Sequence, residues 1–462
     1  MTELSILRAE IQKVTLEIID LIGKRNELAR EVAKEKTRTG APLVNREIEQ
    51  NLRNLVLEKS HDSLIDPKFA MRLLNQLIIE SIRTQKSHIK SPIIPNAYTT
   101  LLKARRLEQS GRDIIHLEVG EPDFGPPAQV ARSLDEAVRA GRTCYTDSAG
   151  IEGLRIKIAE HLNLKSGTAL SAENVVVSVG GRLALTLSIA TNLIPGDEVI
   201  IIDPSYPAYS EIVKQSGGRP VHITTRLEEN WNPDIGELES SINKSTRMMI
   251  LNNPCNPIGK SLSKSVFEDI VELAVGNDLT IVSDEVYSNY TFSSRTSILE
   301  FPHSKHVYID SFSKTYGMTG FRLGFAVSDV DTIQRITKLQ NLFLTCVPEF
   351  IQYAGISAID STEDAKRFAE LIEKRMKVMC NELENAPLSF YRPDGGFYIF
   401  PRLDNDSLTG IEFSDRLLSE MGVAVVPGDA YGSEFSRFFR ISICQSEEDL
   451  IAGAKMIKEV LR

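Results

Sequence analysis

Tryptophan occurs once in the chain, and its five cysteines, Cys144, Cys255, Cys346, Cys380 and Cys444, are scattered without a CxxC pair. That spacing disfavours a disulfide framework and a zinc site, so no metal is expected and the thiols read as reduced. No uncharged stretch approaches the roughly 18 apolar residues of a membrane span. Glu3, Arg8, Glu10 and Lys13 stand where a secretory signal needs its apolar core. The expectation is a cytoplasmic protein with no membrane partner. Basic residues are the minority, 53 Lys and Arg against 63 Asp and Glu, for a formal net charge of -10. That balance argues against nucleic acid as a partner.

The first ninety residues lack more than the rest. They hold two glycines, two prolines and one aromatic residue, Phe69, and their charge is slightly positive, which suits a small anion. The composition changes at Ser91-Pro92-Ile93-Ile94-Pro95, where proline stops any helix. With 462 residues the chain is too long for one core, so the expected division is 1–90 and 91–462. In the first part Leu4, Leu7, Ile11, Val14, Ile18, Leu21, Arg25, Leu28 and Val32 recur at alternating steps of three and four, the seam of one long helix. A second helix is expected from about Asn45 to Lys59, and a third from Asp66-Pro67, with proline at its first position. Three helices cannot bury so long a helix by themselves, so a second copy is expected against it.

Beyond residue 100 short apolar runs at 174–179, 198–202, 247–251, 279–283, 307–310 and 321–327 alternate with helix-period segments, which predicts an α/β domain with a largely parallel sheet. Ligands sit at the carboxyl ends of such strands. One of those ends reads Ser311-Phe312-Ser313-Lys314-Thr315-Tyr316-Gly317-Met318-Thr319-Gly320-Phe321-Arg322-Leu323-Gly324, a lysine among hydroxyls, glycines and an arginine able to grip phosphate. Ile281 to Tyr287 ends another strand with the carboxylate of Asp284 and a phenol three residues on. Asn252 to Gly259 places Asn256 in a proline-braced turn, and Gly180-Gly181-Arg182 opens a helix after a strand, an anion site by geometry.

Together these segments resemble the aspartate aminotransferase family, the class I branch of fold type I pyridoxal phosphate enzymes. Glu118-Val119-Gly120-Glu121-Pro122-Asp123-Phe124, Tyr145, Asp203-Pro204-Ser205-Tyr206-Pro207 and Arg440-Ile441-Ser442 extend the resemblance over nearly all of 91–462. It implies pyridoxal 5'-phosphate as cofactor, with Lys314 as its Schiff-base lysine and proton carrier, Asp284 on the ring nitrogen, and Asn256 and Tyr287 on the ring oxygen. It further implies Gly181, Arg182, Ser311, Ser313 and Arg322 around the phosphate, Tyr206 stacked on the ring, and Tyr145 serving the neighbouring subunit of a homodimer. Arg440 and the backbone of Gly120 would take the substrate α-carboxylate. The large, cofactor-binding subdomain would span about 140–340, and the small one about 91–139 and 341–462.

In the first domain Arg25 interrupts the apolar seam, where a buried unpaired charge would cost several kcal/mol. Ser81 and Gln85 continue the Leu73–Leu77 stripe of the third helix. The pattern alone admits a polar residue that sets register or an anion site. Lys24 to Ala29, Val32 with Lys36, Arg46-Glu47 and Leu77 to Gln85 resemble the all-helical type II chorismate mutase family over most of 4–86. The resemblance implies that Arg25, Arg46 and a partner's Arg8 clamp the carboxylates of chorismate. Lys36 and Gln85 would hold the breaking ether oxygen, and Glu47 and Ser81 would meet the substrate hydroxyl. The expected whole is a bifunctional enzyme of aromatic amino-acid biosynthesis that makes prephenate and transfers an amino group from aspartate or glutamate to a keto acid, prephenate or an aryl-pyruvate. Two other readings are an aspartate aminotransferase with a non-catalytic helical dimerisation or effector domain, and a transcription regulator of the same fold. The second is opposed by the want of a short helix-turn-helix with a basic recognition helix.

Overall fold

The computed structural model describes residues 3–39, 46–63, 65–88, 96–405 and 407–462. The chain divides into two compact units, 1–93 and 94–462.

The first unit is three helices, α1 (Glu3–Thr39), α2 (Arg46–Asp62) and α3 (Pro67–His88). Pro67 opens α3 where its missing N–H costs nothing, and Asp66 Oδ1 accepts from the Lys68 amide at 3.0 Å. Helix α3 packs on both α1 and α2. The contact face of α1 is not its apolar seam. Ala29 and Ala33 are buried, facing a unit whose α3 buries Ala70, Leu74 and Ile78, while the eight apolar seam residues are 43–67% exposed. Small alanines let the helix axes approach. The second helix runs on to Asp62; Asn45 and the Ser91–Pro95 break lie outside the described residues.

The second unit is built on a seven-stranded sheet. After α4 (Ala97–Gln109) and a short strand β1 (Ile115–His116), its strands are β2 (Val175–Ser178), β3 (Glu198–Asp203), β4 (Arg219–Thr224), β5 (Thr246–Asn252), β6 (Thr280–Asp284), β7 (Lys305–Ser311) and β8 (Gly324–Val327). Their order is β2-β8-β7-β6-β5-β3-β4, and only β8 runs antiparallel to its neighbours. Both faces are covered: Val175, Val177, Ile281 and Tyr308 enter one apolar cluster, and Val176, Val282, Val307 and Ile309 the other. A third cluster joins Leu117 and Tyr287 to residues of 372–460. Two sequence expectations need correction. The run at 321–327 becomes strand only from Gly324, since Thr319–Phe321 is a 3-10 turn and Arg322 takes φ 54°. Edge strand β4 was not expected, because Arg219 and Pro220 weaken its apolar signal. Among the described residues no helix is long and apolar enough to cross a membrane.

The antiparallel return of β8 has a consequence for the site. Residues 312–323 form the whole connection from β7 to β8, so the lysine segment is pinned at the carboxyl end of β7. Strand β8 then passes so close to the next helix that a methyl group on Gly324 would run into the Gly180–Gly181 backbone. Gly324→Ala is therefore expected to cost about 1–3 kcal/mol of stability through overpacking. An unchanged urea midpoint would show that the turn has room to spare.

Candidate active site

Lys314 sits in the short helix Phe312–Thr315, capped by Ser311, whose Oγ accepts from the Ser313 amide at 3.1 Å. Its Nζ donates to the carbonyl of Gly120 at 2.5 Å and lies 5.6 Å from the centroid of the Phe397 ring. Burial pushes the ammonium down to about 8, so a primary amine is available close to neutral pH.

Three features converge at one end of this lysine. The helix Gly180–Asn192 starts there with two buried glycines. A methyl group on Gly181 would stand 3.4 Å from Ser311 Cβ, and the guanidinium of Arg322 lies against Gly180. Arg322 Nη1 donates to Thr319 O at 2.9 Å, and its backbone is left-handed. Free amides at a helix N-terminus, a hydroxyl and a guanidinium make a cradle for phosphate. Ser313 is buried beside them. Arg182 is exposed and donates to the Tyr206 hydroxyl, with its guanidinium 5.6 Å from that ring's centroid.

At the other end stands Asp284, the last residue of β6. Burial pushes its carboxyl up to about 6 against the hydrogen bond that Tyr209 donates to Oδ2 at 2.7 Å. Asn252 and Asn253 both donate to the Asp284 carbonyl, at 2.9 and 3.1 Å, which fixes the strand end. Asn256 is buried, its amide N–H held by Asn252 Oδ1 at 2.8 Å. Tyr287 is hydroxyl to hydroxyl with Tyr398 at 3.3 Å, and burial keeps its phenol far above the ordinary range.

Arg440 closes the pocket. It is 4% exposed, donates to Asn256 Oδ1 at 3.0 Å and to the Glu118 carbonyl, and stacks 4.2 Å from the Tyr398 ring centroid. Gly120 is required here, because any side chain would occupy the place of the Tyr398 hydroxyl. Tyr145 is 87% exposed. Sequence reading missed Tyr209, Tyr398 and Phe397. Tyr209 follows Tyr206 by three residues at the start of the helix Ala208–Gln215, a spacing that puts both rings on one side once the helix start is known. Gly395-Gly396 ahead of Phe397-Tyr398 marks the others as a backbone held close to something.

In the first unit Arg25 Nη1 donates to the Leu77 carbonyl at 2.6 Å, Lys36 Nζ to Gln85 Oε1 at 3.1 Å, and Gln85 Nε2 faces Ser81 Oγ at 3.5 Å. Four of the expected residues thus lie along one α1–α3 face. Within the chain Arg25 bonds to a backbone carbonyl of α3. Arg8, seventeen residues before Arg25 on α1, is about 25 Å away along the axis and belongs to another part of the helix. Arg46 begins α2, but its side chain and that of Glu47 lie outside the described residues.

A seven-stranded α/β sheet with a half-buried lysine, a phosphate cradle and a buried acid defines a transferase site of the aminotransferase class. The description aminotransferase class I and II matches residues 112–457, and chorismate mutase type II matches 7–86. The chain belongs to the class I and II aminotransferase family and carries a type II chorismate mutase domain ahead of it. It is 33% identical to an aspartate aminotransferase of Sulfolobus acidocaldarius, over 80% of this chain and 97% of that protein. It is also 33% identical to an aromatic-amino-acid aminotransferase of Thermococcus litoralis, over 77% and 94%. The solved structure of Thermus thermophilus aspartate aminotransferase with maleate superposes with a TM-score of 0.75 at 30% identity, covering 79% of this chain and 96% of that one.

Tyr209 is the addition that geometry makes to this site. Tyr209→Phe removes a hydrogen bond that favours the charged carboxylate, so Asp284 is expected to titrate above about 6, as read by carbon NMR. Transamination should fall about tenfold, the worth of one such bond. Wild-type titration and rate would show that Tyr209 does not act on Asp284.

Proposed function

We propose that the second unit is a pyridoxal 5'-phosphate-dependent aminotransferase that works with aspartate or glutamate and prephenate, and that the first unit converts chorismate to prephenate. The observation that carries the transaminase reading is the set of groups around one amine of lowered pKa, with the Arg322–Gly180 cradle and the buried Asp284 carboxylate each coupled to its charge. These residues fit the cofactor. Gly181, Ser311, Ser313 and Arg322 would hold its phosphate, Asp284 its ring nitrogen, Asn256 and Tyr287 its ring oxygen, and Tyr206 one ring face. When bound, the cofactor supplies the electron sink that stabilises negative charge at the substrate Cα. Lys314 takes the proton from that carbon and returns it. Asp284 keeps the ring nitrogen protonated, with Tyr209 holding the carboxylate in place. Arg440, already fixed by Asn256 and the Glu118 carbonyl, pairs with the α-carboxylate without having to be reorganised, and the Gly120 backbone lines the same spot.

Substrate choice follows from charge. Arg182 sets a positive group beside Tyr206, the ring proposed to stack on the cofactor, and would pair with a second carboxylate there. Aspartate, glutamate and prephenate each carry two carboxylates, whereas phenylpyruvate carries one. The relatives named for aspartate and for aromatic amino acids support both halves of this pairing. The unit is proposed as a homodimer, in which Tyr145 reaches a second copy, and as cytoplasmic, in keeping with five unpaired cysteines. Lys314→Ala should lower transamination by about 10²–10⁴-fold, the worth of a positioned proton carrier, while chorismate still disappears at the wild-type rate. A panel of donors and keto acids followed by cofactor absorbance tests specificity, and a prephenate rate no better than that of oxaloacetate or 2-oxoglutarate would refute the choice of acceptor.

For the first unit the supporting observation is the row of donors on α1 and α3, Arg25, Lys36 and Gln85, on a segment of net positive charge. A rearrangement within one molecule needs no nucleophile, only a compact conformer and donors where negative charge develops. The exposed seam of α1 supports a second copy that brings Arg8 and covers the apolar residues. A structural reading also has an observation behind it, the bond from Arg25 to the Leu77 carbonyl. Arg25→Leu in the full chain separates them. A ligand-binding Arg25 predicts loss of chorismate turnover with stability held or raised, because leucine completes the seam. An Arg25 that serves the fold predicts a lower unfolding free energy, by about 1–3 kcal/mol, with turnover retained.

A further inference from the structure

Glu118 and His116 take no part in the chemistry above, yet they are tied to it. Glu118 is fully buried, and its two ends face different ways. Its carbonyl oxygen accepts from one arm of Arg440, whose other arm Asn256 holds. Its side chain accepts on Oε1 from His116 Nδ1 at 2.7 Å, and Oε2 has no hydrogen-bond partner. His116 completes a bridge, since its Nε2 lies 3.1 Å from Glu108 Oε1 on α4. An imidazole facing carboxylate oxygens on both nitrogens donates to both only when doubly protonated. The two acids, Glu118 foremost, pull it up to about 9 against the opposing effect of burial.

The backbone between these groups leads into the pocket. Leu117 N donates to Ala424 O at 3.0 Å, and Leu117 O accepts from Ser442 N at 2.7 Å, two residues beyond Arg440. Three residues after Leu117, the Gly120 carbonyl meets Lys314. A buried carboxylate without its cation would have to move toward water or take up a proton. Movement of the side chain would pull on the backbone carbonyl that steadies Arg440.

We propose that His116 is a positioning residue for carboxylate recognition: through Glu118 it fixes the Leu117–Gly120 backbone on which Arg440 and the α-carboxylate site depend. The proposal rests on Arg440 as the carboxylate site. It predicts an effect on binding more than on the proton transfer, because no reacting atom is touched. In the full-length holoenzyme, His116→Gln should raise KM for glutamate about tenfold and weaken maleate, an unreactive dicarboxylate, by the same factor, with kcat within about twofold and cofactor absorbance unchanged. Glu108→Gln keeps the His116–Glu118 pair and should move KM and maleate affinity in the same direction by about two- to threefold. Unchanged KM and maleate affinity in His116→Gln, whatever its melting temperature, overturns the proposal, as does a loss confined to kcat. If His116→Gln does not fold, Glu108→Gln decides by the same two readings. Arg440→Lys serves as the control: unaltered maleate affinity there would remove the underlying carboxylate site, whereas a loss there with none in the His116 and Glu108 variants would remove only the role of His116.

Discussion

The site depends on keeping one half-buried primary amine hydrogen-bonded to a carbonyl and not to a carboxylate. An ammonium beside an acid would stay charged and inert as a nucleophile, whereas desolvation favours the neutral form. Lys314 meets a carbonyl and an aromatic face; burial lowers its pKa most, Cys444 and the Glu121 carboxylate oppose that, and the cations Arg440 and Arg322 add to it. The fold supplies this arrangement through the reversal between β7 and β8. A parallel crossover would carry the chain away from the strand end, but the antiparallel return keeps Lys314 and Arg322 within one short connection, with the Gly180 turn packed against it.

The acids around the amine are kept apart by strand periodicity. Asp284 and Glu285 are adjacent, so their side chains fall on opposite faces of the sheet. Asp284 turns to Tyr209 and the pocket. Glu285 turns to the Ser283 hydroxyl at 3.0 Å, the Ile298 amide at 2.9 Å and Arg295 at 3.8 Å, where burial pushes it up to about 7. One of these two carboxylates is free to meet a ligand because the other has the interior partners. A slip of one residue in β6 would exchange them and place the ligand-facing acid against Arg295.

What could be read from the sequence was whatever is contiguous. Ser311, Lys314 and Arg322 lie within one connection, and Gly181 follows directly on its strand, so local pattern was enough to group them. Tyr209 and Tyr398 act across long separations. The need for Gly120 to lack a side chain is visible only when Tyr398, far along the chain, is brought over it. Edge strand β4 was hidden for a different reason: one side of it is solvated, and a proline interrupts the apolar alternation that marks the buried strands.

The helical unit reverses the usual relation between apolar pattern and burial. Its seam is the most regular periodicity in the chain, yet the packed face of α1 within the chain is made of Ala29 and Ala33, and nothing from Glu3 to Leu28 is buried. Eight exposed apolar side chains at heptad spacing carry an unfavourable hydration of roughly 1.5–3 kcal/mol each when compared with full burial. Helices α1 and α2 both pack on α3, and the seam stays outside that contact. The seam is apolar and uncovered on both sides of Arg25, from Leu4 to Val32. Arg25, Ala29, Ala33 and Lys36 follow at steps of four, four and three, so the buried alanines share a side of the helix with Arg25, and Lys36 reaches Gln85 on α3. The uncovered apolar residues and the row of Arg25 and Lys36 that meets α3 thus lie on adjoining sides of one helix.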